Sequence, residues 1–86
     1  MTKSIWKFPI RILDEQTIVM PAGAKILFGA VQHGIPNVWA EVDIYAPQVE
    51  RTIRIYGTGW QLPDAPGRYI GTFMMYDGYE VYHAYE

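Results

Sequence analysis

The stretch Arg51-Thr-Ile-Arg-Ile-Tyr-Gly-Thr-Gly-Trp60 decides the fold class of this chain. Its first six residues alternate between polar and β-branched or aromatic types, which predicts a strand, and the two glycines that follow predict a turn closed by a large aromatic residue. Because side chains alternate along a strand, we expect Ile53 and Ile55 to point into a core. Thr52, Arg54 and Tyr56 then lie on the opposite face.

The rest of the chain repeats this pattern, with turn signals at intervals of roughly eight to twelve residues. No segment combines helical periodicity with a cap and a stop signal. We therefore predict a single all-β domain over residues 1–86, a compact antiparallel sandwich or partly open barrel of about seven short strands. The predicted strands cover residues 5–13, 16–20, 25–32, 37–44, 51–56, 68–75 and 79–85.

Composition narrows the class of protein. There are no cysteines, which excludes disulfides and thiolate metal sites and favours a reducing compartment. The longest apolar run, around residues 26–31, is too short to span a bilayer, and the first fifteen residues lack the apolar core of a signal peptide. The net charge is −2, with no basic run to contact duplex nucleic acid. We expect a cytoplasmic protein with no membrane and no duplex nucleic acid as partner.

The residues that carry common catalytic chemistry are sparse. Ser4 is the only serine and lies near the N-terminus, and His33 and His83 lack the spacing of a metal-binding motif. We expect His33 to be solvated and His83 to be half-buried and hydrogen-bonded. Glu41 and Asp43 share a strand face, as surface carboxylates commonly do. The sequence thus predicts no enzyme, no metal and no cofactor.

The turn after the predicted strand is the candidate binding site. Successive amides in a glycine-rich turn can bind an anion, arginine suits phosphate, and aromatic rings can stack on a base. The alternative is that the two glycines only supply positive φ angles. The predicted ligand-binding residues are Arg51, Arg54, Tyr56, Gly57, Thr58, Gly59, Trp60 and Arg68.

Aromatic residues make up 15% of the chain, and short strands leave unpaired edges. Oligomerisation is one way in which a small domain gains buried area. We therefore expect a homo-oligomer.

Several segments together resemble a known family. They are Ile5-Trp6-Lys7, Gln16-Thr17-Ile18, Met20-Pro21-Ala22-Gly23-Ala24, Trp39-Ala40-Glu41-Val42-Asp43, Ala46-Pro47, the 51–59 stretch, Pro63-Asp64, residues 67–73 and Val81-Tyr82-His83. On these segments the chain resembles a family of small uncharacterised proteins of bacteriophages and prophages. The resemblance implies a phage accessory protein that counters host defence, with no catalytic residues to transfer.

Three functions fit that setting. The first is sequestration of a small anionic, nucleotide-like signal in an oligomer, by analogy with small phage proteins of that kind. The second is a protein-interaction module that inhibits a host defence protein. The third is a structural phage protein.

Overall fold

Seven β-strands form the secondary structure of residues 2–86, the part of the chain that this computed structural model describes. They are β1 (Lys3–Pro9), β2 (Glu15–Pro21), β3 (Lys25–Gln32), β4 (Ile35–Asp43), β5 (Gln48–Gly57), β6 (Tyr69–Met75) and β7 (Glu80–Tyr85). There is no helix within residues 2–86. The predicted all-β class and the number of strands are confirmed.

The strands form one sheet in the order β1-β4-β3-β6-β7-β5-β2. Its two edge strands, β1 and β2, are consecutive in the chain and joined only by residues 10–14. Such a link reaches at most about 20 Å, so the sheet must curl until its edges approach each other. The result is a half-barrel, which corresponds to the partly open barrel of the prediction.

One side of the curled sheet forms the core, as the alternation of apolar and polar residues requires. Ile53 and Ile55 of β5 point inward as predicted, and Trp6 and Phe8 of the edge strand β1 pack against the same cluster. The buried apolar residues are Ile10, Met20, Ala24, Ile26, Val38, Ala40, Val42, Ile53, Ile55, Ile70, Phe73 and Ala84.

Two turns between strands are tighter or shorter than predicted. His33 and Gly34 both have positive φ and connect β3 directly to β4, so Ile35 and Pro36 belong to a strand rather than to a break. The predicted loop over 45–50 is also too long, because β5 begins at Gln48, where it pairs with Pro21 of β2. β1, by contrast, ends at Pro9 instead of Leu13. A tight turn that includes Asp77 and Gly78 joins β6 to β7, in the interval between the last two predicted strands.

The sheet is not wholly antiparallel, and its parallel pair is unusually close. β3 and β6 run parallel and are paired only at Gly29 and Gly71. A Cβ atom on Gly71 would overlap the Gly29 carbonyl group, whereas one on Gly29 would meet the ring of Phe73 at 3.0 Å. Two adjacent bare backbones therefore permit the contact that unites β1, β4 and β3 with the other four strands.

This contact predicts unequal costs for two similar substitutions. We expect Gly71→Ala to lower the free energy of unfolding by about 3 kcal/mol, the upper end of typical overpacking, because backbone must move. Gly29→Ala should cost about 1 kcal/mol, since the Phe73 side chain can shift. Urea denaturation followed by circular dichroism measures both. Equal midpoints for the two variants would contradict this account of the seam.

Candidate functional site

The turn after β5 is built around the ring of Trp60. The Trp60 amide donates to the Gly57 carbonyl at 3.0 Å, and Gly59 takes a φ of 88° between them. A Cβ atom on Gly57 would lie 2.6 Å from the indole. Gly59 thus supplies the positive φ that the turn needs, whereas Gly57 leaves room for the Trp60 ring.

The backbone amides of the turn, which the sequence suggested could bind an anion together, are not all free to do so. The Thr58 amide donates to the Val81 carbonyl at 3.1 Å, and the Trp60 amide is used within the turn. Two of the donors that an anion would need are therefore already bonded. The chemistry of the site lies instead in the side chains around the turn.

Those side chains come from the adjacent strands β5, β7 and β6, and the pairing of these strands brings the side chains side by side. Tyr56 of β5 and Thr72 of β6 both pair with His83 of β7. Tyr85, two residues beyond His83 on the same face, makes edge-to-face contacts with Tyr56 at 5.8 Å and with Tyr69 at 5.7 Å between ring centroids. An aromatic surface with one imidazole therefore flanks the turn.

His83 occupies the middle of a chain of hydroxyl groups. Its Nε2 lies 2.7 Å from the Thr58 hydroxyl and its Nδ1 lies 3.1 Å from the Thr72 hydroxyl, which in turn lies 2.5 Å from the Tyr69 hydroxyl. Each hydroxyl can donate or accept, so either neutral tautomer of the imidazole is satisfied. The expectation of a half-buried, hydrogen-bonded His83 is confirmed, and His33 is exposed.

Two pockets adjoin Trp60 and share Gly57 and Thr58. The histidine pocket has a volume of about 160 Å³ and is further lined by Tyr56, Gly59, Leu62, His83 and Tyr85. The glutamate pocket has a volume of about 300 Å³ and is further lined by Tyr79, Glu80, Val81 and Tyr82. No arginine or lysine lines either pocket among the described residues.

The three arginines of the predicted site are not brought together. Arg54 lies on the same strand face as Tyr56 and forms an exposed ion pair with Glu15 at 3.0 Å. Arg51 lies on the other face, where it forms a bidentate pair with Glu86 and donates to the Ala24 carbonyl at 2.8 Å. Arg68 donates to the Ile26 carbonyl at 2.9 Å.

Arg51 and Arg68 therefore have structural contacts of the same kind. Each reaches from the four-strand part of the sheet to a carbonyl at or just before the start of β3, across the seam marked by Gly29 and Gly71. The hydrogen bonds that Arg51 donates to the Glu86 carboxylate raise the pKa of Arg51, so this guanidinium stays charged. Of the predicted site residues, Tyr56, Gly57, Thr58, Gly59 and Trp60 line a pocket, and Arg54 lies beside Tyr56.

His83, Tyr85 and Leu62 line the histidine pocket without having been predicted there. His83 and Tyr85 alternate onto one face of β7, and only the pairing of β7 with β5 brings that face beside Tyr56. Leu62 lies in the irregular segment before β6, for which the sequence has no periodicity to interpret.

Comparison with known proteins identifies the family of this chain. A family described as a domain of unknown function, DUF7352, matches residues 1–86. The chain belongs to the DUF7352 family. No curated protein and no solved structure matches this DUF7352 chain.

Residues 2–86 contain no group of three or more histidine or carboxylate side chains placed to hold a metal ion. The same residues include no helix long and apolar enough to cross a membrane.

The contacts of Arg51 and Arg54 predict different effects on stability. We expect Arg51→Met to lower the free energy of unfolding by about 2 kcal/mol, because it leaves the half-buried Glu86 carboxylate and the Ala24 carbonyl unpaired. The matched variant Arg54→Met breaks an exposed pair and should change it by no more than about 0.5 kcal/mol. Chemical denaturation of both variants tests the difference. Similar losses would show that Arg51 has no special structural role.

The Tyr82 hydroxyl donates to the Glu80 carboxylate, and this bond raises the pKa of Tyr82. Its stabilising effect is present below the ordinary tyrosine pKa of about 10 and is lost as pH rises through the higher native value. We therefore expect Glu80→Gln to lower the pH at which Tyr82 deprotonates. The ¹³Cζ shift of tyrosine-labelled protein, assigned with Tyr82→Phe, measures this, and an unchanged midpoint would contradict it.

Proposed function

We propose that this protein is a non-enzymatic binding protein whose histidine pocket takes the planar ring of a nucleotide-like ligand. The observation that supports this most directly is the composition of the pocket. Tyr56, Trp60 and Tyr85 offer aromatic surface, and the Thr58–His83 pair adds groups that donate or accept hydrogen bonds. Stacking of a base on an aromatic ring contributes about 1–3 kcal/mol.

The size of the pocket favours a single ring system. Sites for whole small molecules usually have volumes of roughly 300–1,000 Å³, and the histidine pocket has about 160 Å³. One base fits such a volume while the sugar and phosphate remain outside it. A second copy of the chain, covering the exposed part of the ligand, would complete the site, and this is the reason for proposing a homo-oligomer.

Arg54 is the proposed partner of the ligand's phosphate. It lies two residues before Tyr56 on the same face, and its register partner on β7 is Tyr85. Its present partner, Glu15, is exposed, and exposed ion pairs contribute only about 0–1 kcal/mol. Exchange of Glu15 for a phosphate oxygen is therefore inexpensive.

The proposed biological role follows from the resemblance to small phage proteins. In a host cytoplasm, an oligomer that binds a nucleotide-like signal without converting it would act as a counter-defence protein by sequestration. The absence of any need for catalysis agrees with the sparse catalytic residues of the sequence.

A second candidate function is inhibition of a host defence protein by direct contact. The end of β6 and the turn into β7 expose three large side chains, Met74 at 64%, Tyr76 at 70% and Tyr79 at 90%. Exposed tyrosine and methionine are common at protein interfaces. This function predicts a stable protein complex that nucleotides do not affect.

The first function is tested by native mass spectrometry with a panel of cyclic and ADP-ribose-derived nucleotides. We expect a mass shift of defined stoichiometry on an oligomer. For the nucleotide that binds, Tyr85→Leu should weaken affinity by about tenfold or more through lost stacking, as measured by calorimetry.

Arg54→Ala should weaken the affinity for the same nucleotide by about tenfold, with the fold unchanged. Arg11→Ala is the matched control, since it removes the same charge from an exposed side chain outside both pockets. Equal affinity in the Arg54→Ala and Arg11→Ala variants would exclude Arg54 from the site. A complete absence of binding across the panel would favour the protein-inhibitor function.

A further inference from the structure

The glutamate pocket has a chemistry of its own. Three of its lining residues are aromatic, Trp60, Tyr79 and Tyr82, and its only charged residue is Glu80. Its volume of about 300 Å³ exceeds that of the histidine pocket. An acidic, aromatic pocket repels phosphate and attracts positive charge, so its ligand differs in kind from a nucleotide.

Two of the aromatic rings lie beside each other at one side of the pocket. The rings of Trp60 and Tyr82 stand nearly perpendicular, at 79°, with centroids 6.3 Å apart. Tyr79, from the β6–β7 hairpin, contributes a third ring and is 90% exposed. The face of an aromatic ring is electronegative, and a cation within about 6 Å of the ring centroid is attracted to it.

Glu80 supplies the negative charge and is held in place. Its carboxylate accepts a hydrogen bond from the Tyr82 hydroxyl. In residues 2–86 the acidic members of the ion pairs are Glu15, Glu41 and Glu86, so Glu80 has no cationic partner there. An open pocket lined by aromatic rings and by one carboxylate that no lysine or arginine neutralises is suited to an external cation.

We propose that the glutamate pocket binds the methylated ammonium group of an organic cation. A bulky, methylated ammonium is weakly hydrated, so it loses little on leaving water and gains contact with ring faces and with the carboxylate. This proposal does not rest on the nucleotide-like ligand proposed above, although the two pockets share Gly57, Thr58 and Trp60. Tyr79, Glu80 and Tyr82 belong only to the glutamate pocket, whereas Tyr56, His83 and Tyr85 belong only to the histidine pocket.

The test compares choline with 3,3-dimethylbutan-1-ol, which has the same shape but no charge. Both are titrated into the full chain, and binding is followed by the indole N–H and tyrosine ring signals in NMR spectra. We expect choline to bind with saturation and the neutral alcohol to bind about tenfold more weakly or not at all. Equal affinity for the two, or no binding of choline up to 50 mM (roughly ten times a weak Kd of a few mM), would overturn the proposal.

Variants assign the binding to this pocket. Glu80→Gln keeps an acceptor for the Tyr82 hydroxyl but removes the charge, and we expect a loss of about three- to tenfold in choline affinity. Tyr79→Leu should have a similar effect, whereas its control, Tyr45→Leu, changes a comparably exposed tyrosine outside the pocket and should have none. Wild-type affinity in both Glu80→Gln and Tyr79→Leu would place any choline binding elsewhere and overturn the proposal.

Two further arms identify the source of the cation and separate the two proposals. A short peptide that carries trimethyl-lysine is compared with choline, and the tighter ligand shows whether the group comes from a modified protein or a free metabolite. Tyr85→Leu and His83→Gln should weaken the affinity for a nucleotide and leave the affinity for choline unchanged. A loss of choline affinity in these two variants, with the fold intact, would overturn the placement of the cation in the glutamate pocket.

Discussion

The close approach of Gly29 and Gly71 is the constraint on which the rest of the half-barrel depends. It is the only pairing between β3 and β6, and it joins the β1-β4-β3 part of the sheet to the β6-β7-β5-β2 part. A single pair of residues gives little strength to such a seam. Arg51 and Arg68 add charged hydrogen bonds to carbonyls at the start of β3, on the other side of the same seam. Two arginines that the sequence suggested as phosphate ligands therefore have structural contacts near the seam instead.

Alternation in the sequence predicted which residues face the core but not which strands are neighbours. Val38, Ala40 and Val42, at alternate positions of β4, are all buried. The same alternation places Arg51 and Arg54 on opposite faces of the strand, because they are three residues apart. The prediction that grouped them around one turn relied on proximity in the sequence, which says nothing about faces.

The histidine pocket shows why the site was only partly predictable. Tyr56 and the turn were identified because they are contiguous in the sequence, whereas His83 and Tyr85 reach the pocket through pairing of β5 with β7. That pairing joins residues about thirty positions apart and depends on the whole strand order, including the parallel pair that no local pattern indicates. The residue types of a contiguous segment identified Tyr56 and the turn, whereas His83 and Tyr85 could be identified only from the pairing of distant strands.

Trp60 links the two proposed sites, and its position depends on a residue with no side chain. Because Gly57 lacks a Cβ atom, the indole can lie against the backbone at the end of β5 and line both pockets at once. The partners of the ring then differ. Hydroxyl and imidazole groups accompany it in the histidine pocket, and a carboxylate accompanies it in the glutamate pocket. One aromatic side chain can serve ligands of opposite charge in this way, because stacking on a base and attraction of a cation both use the ring face, while neighbouring polar groups select between them.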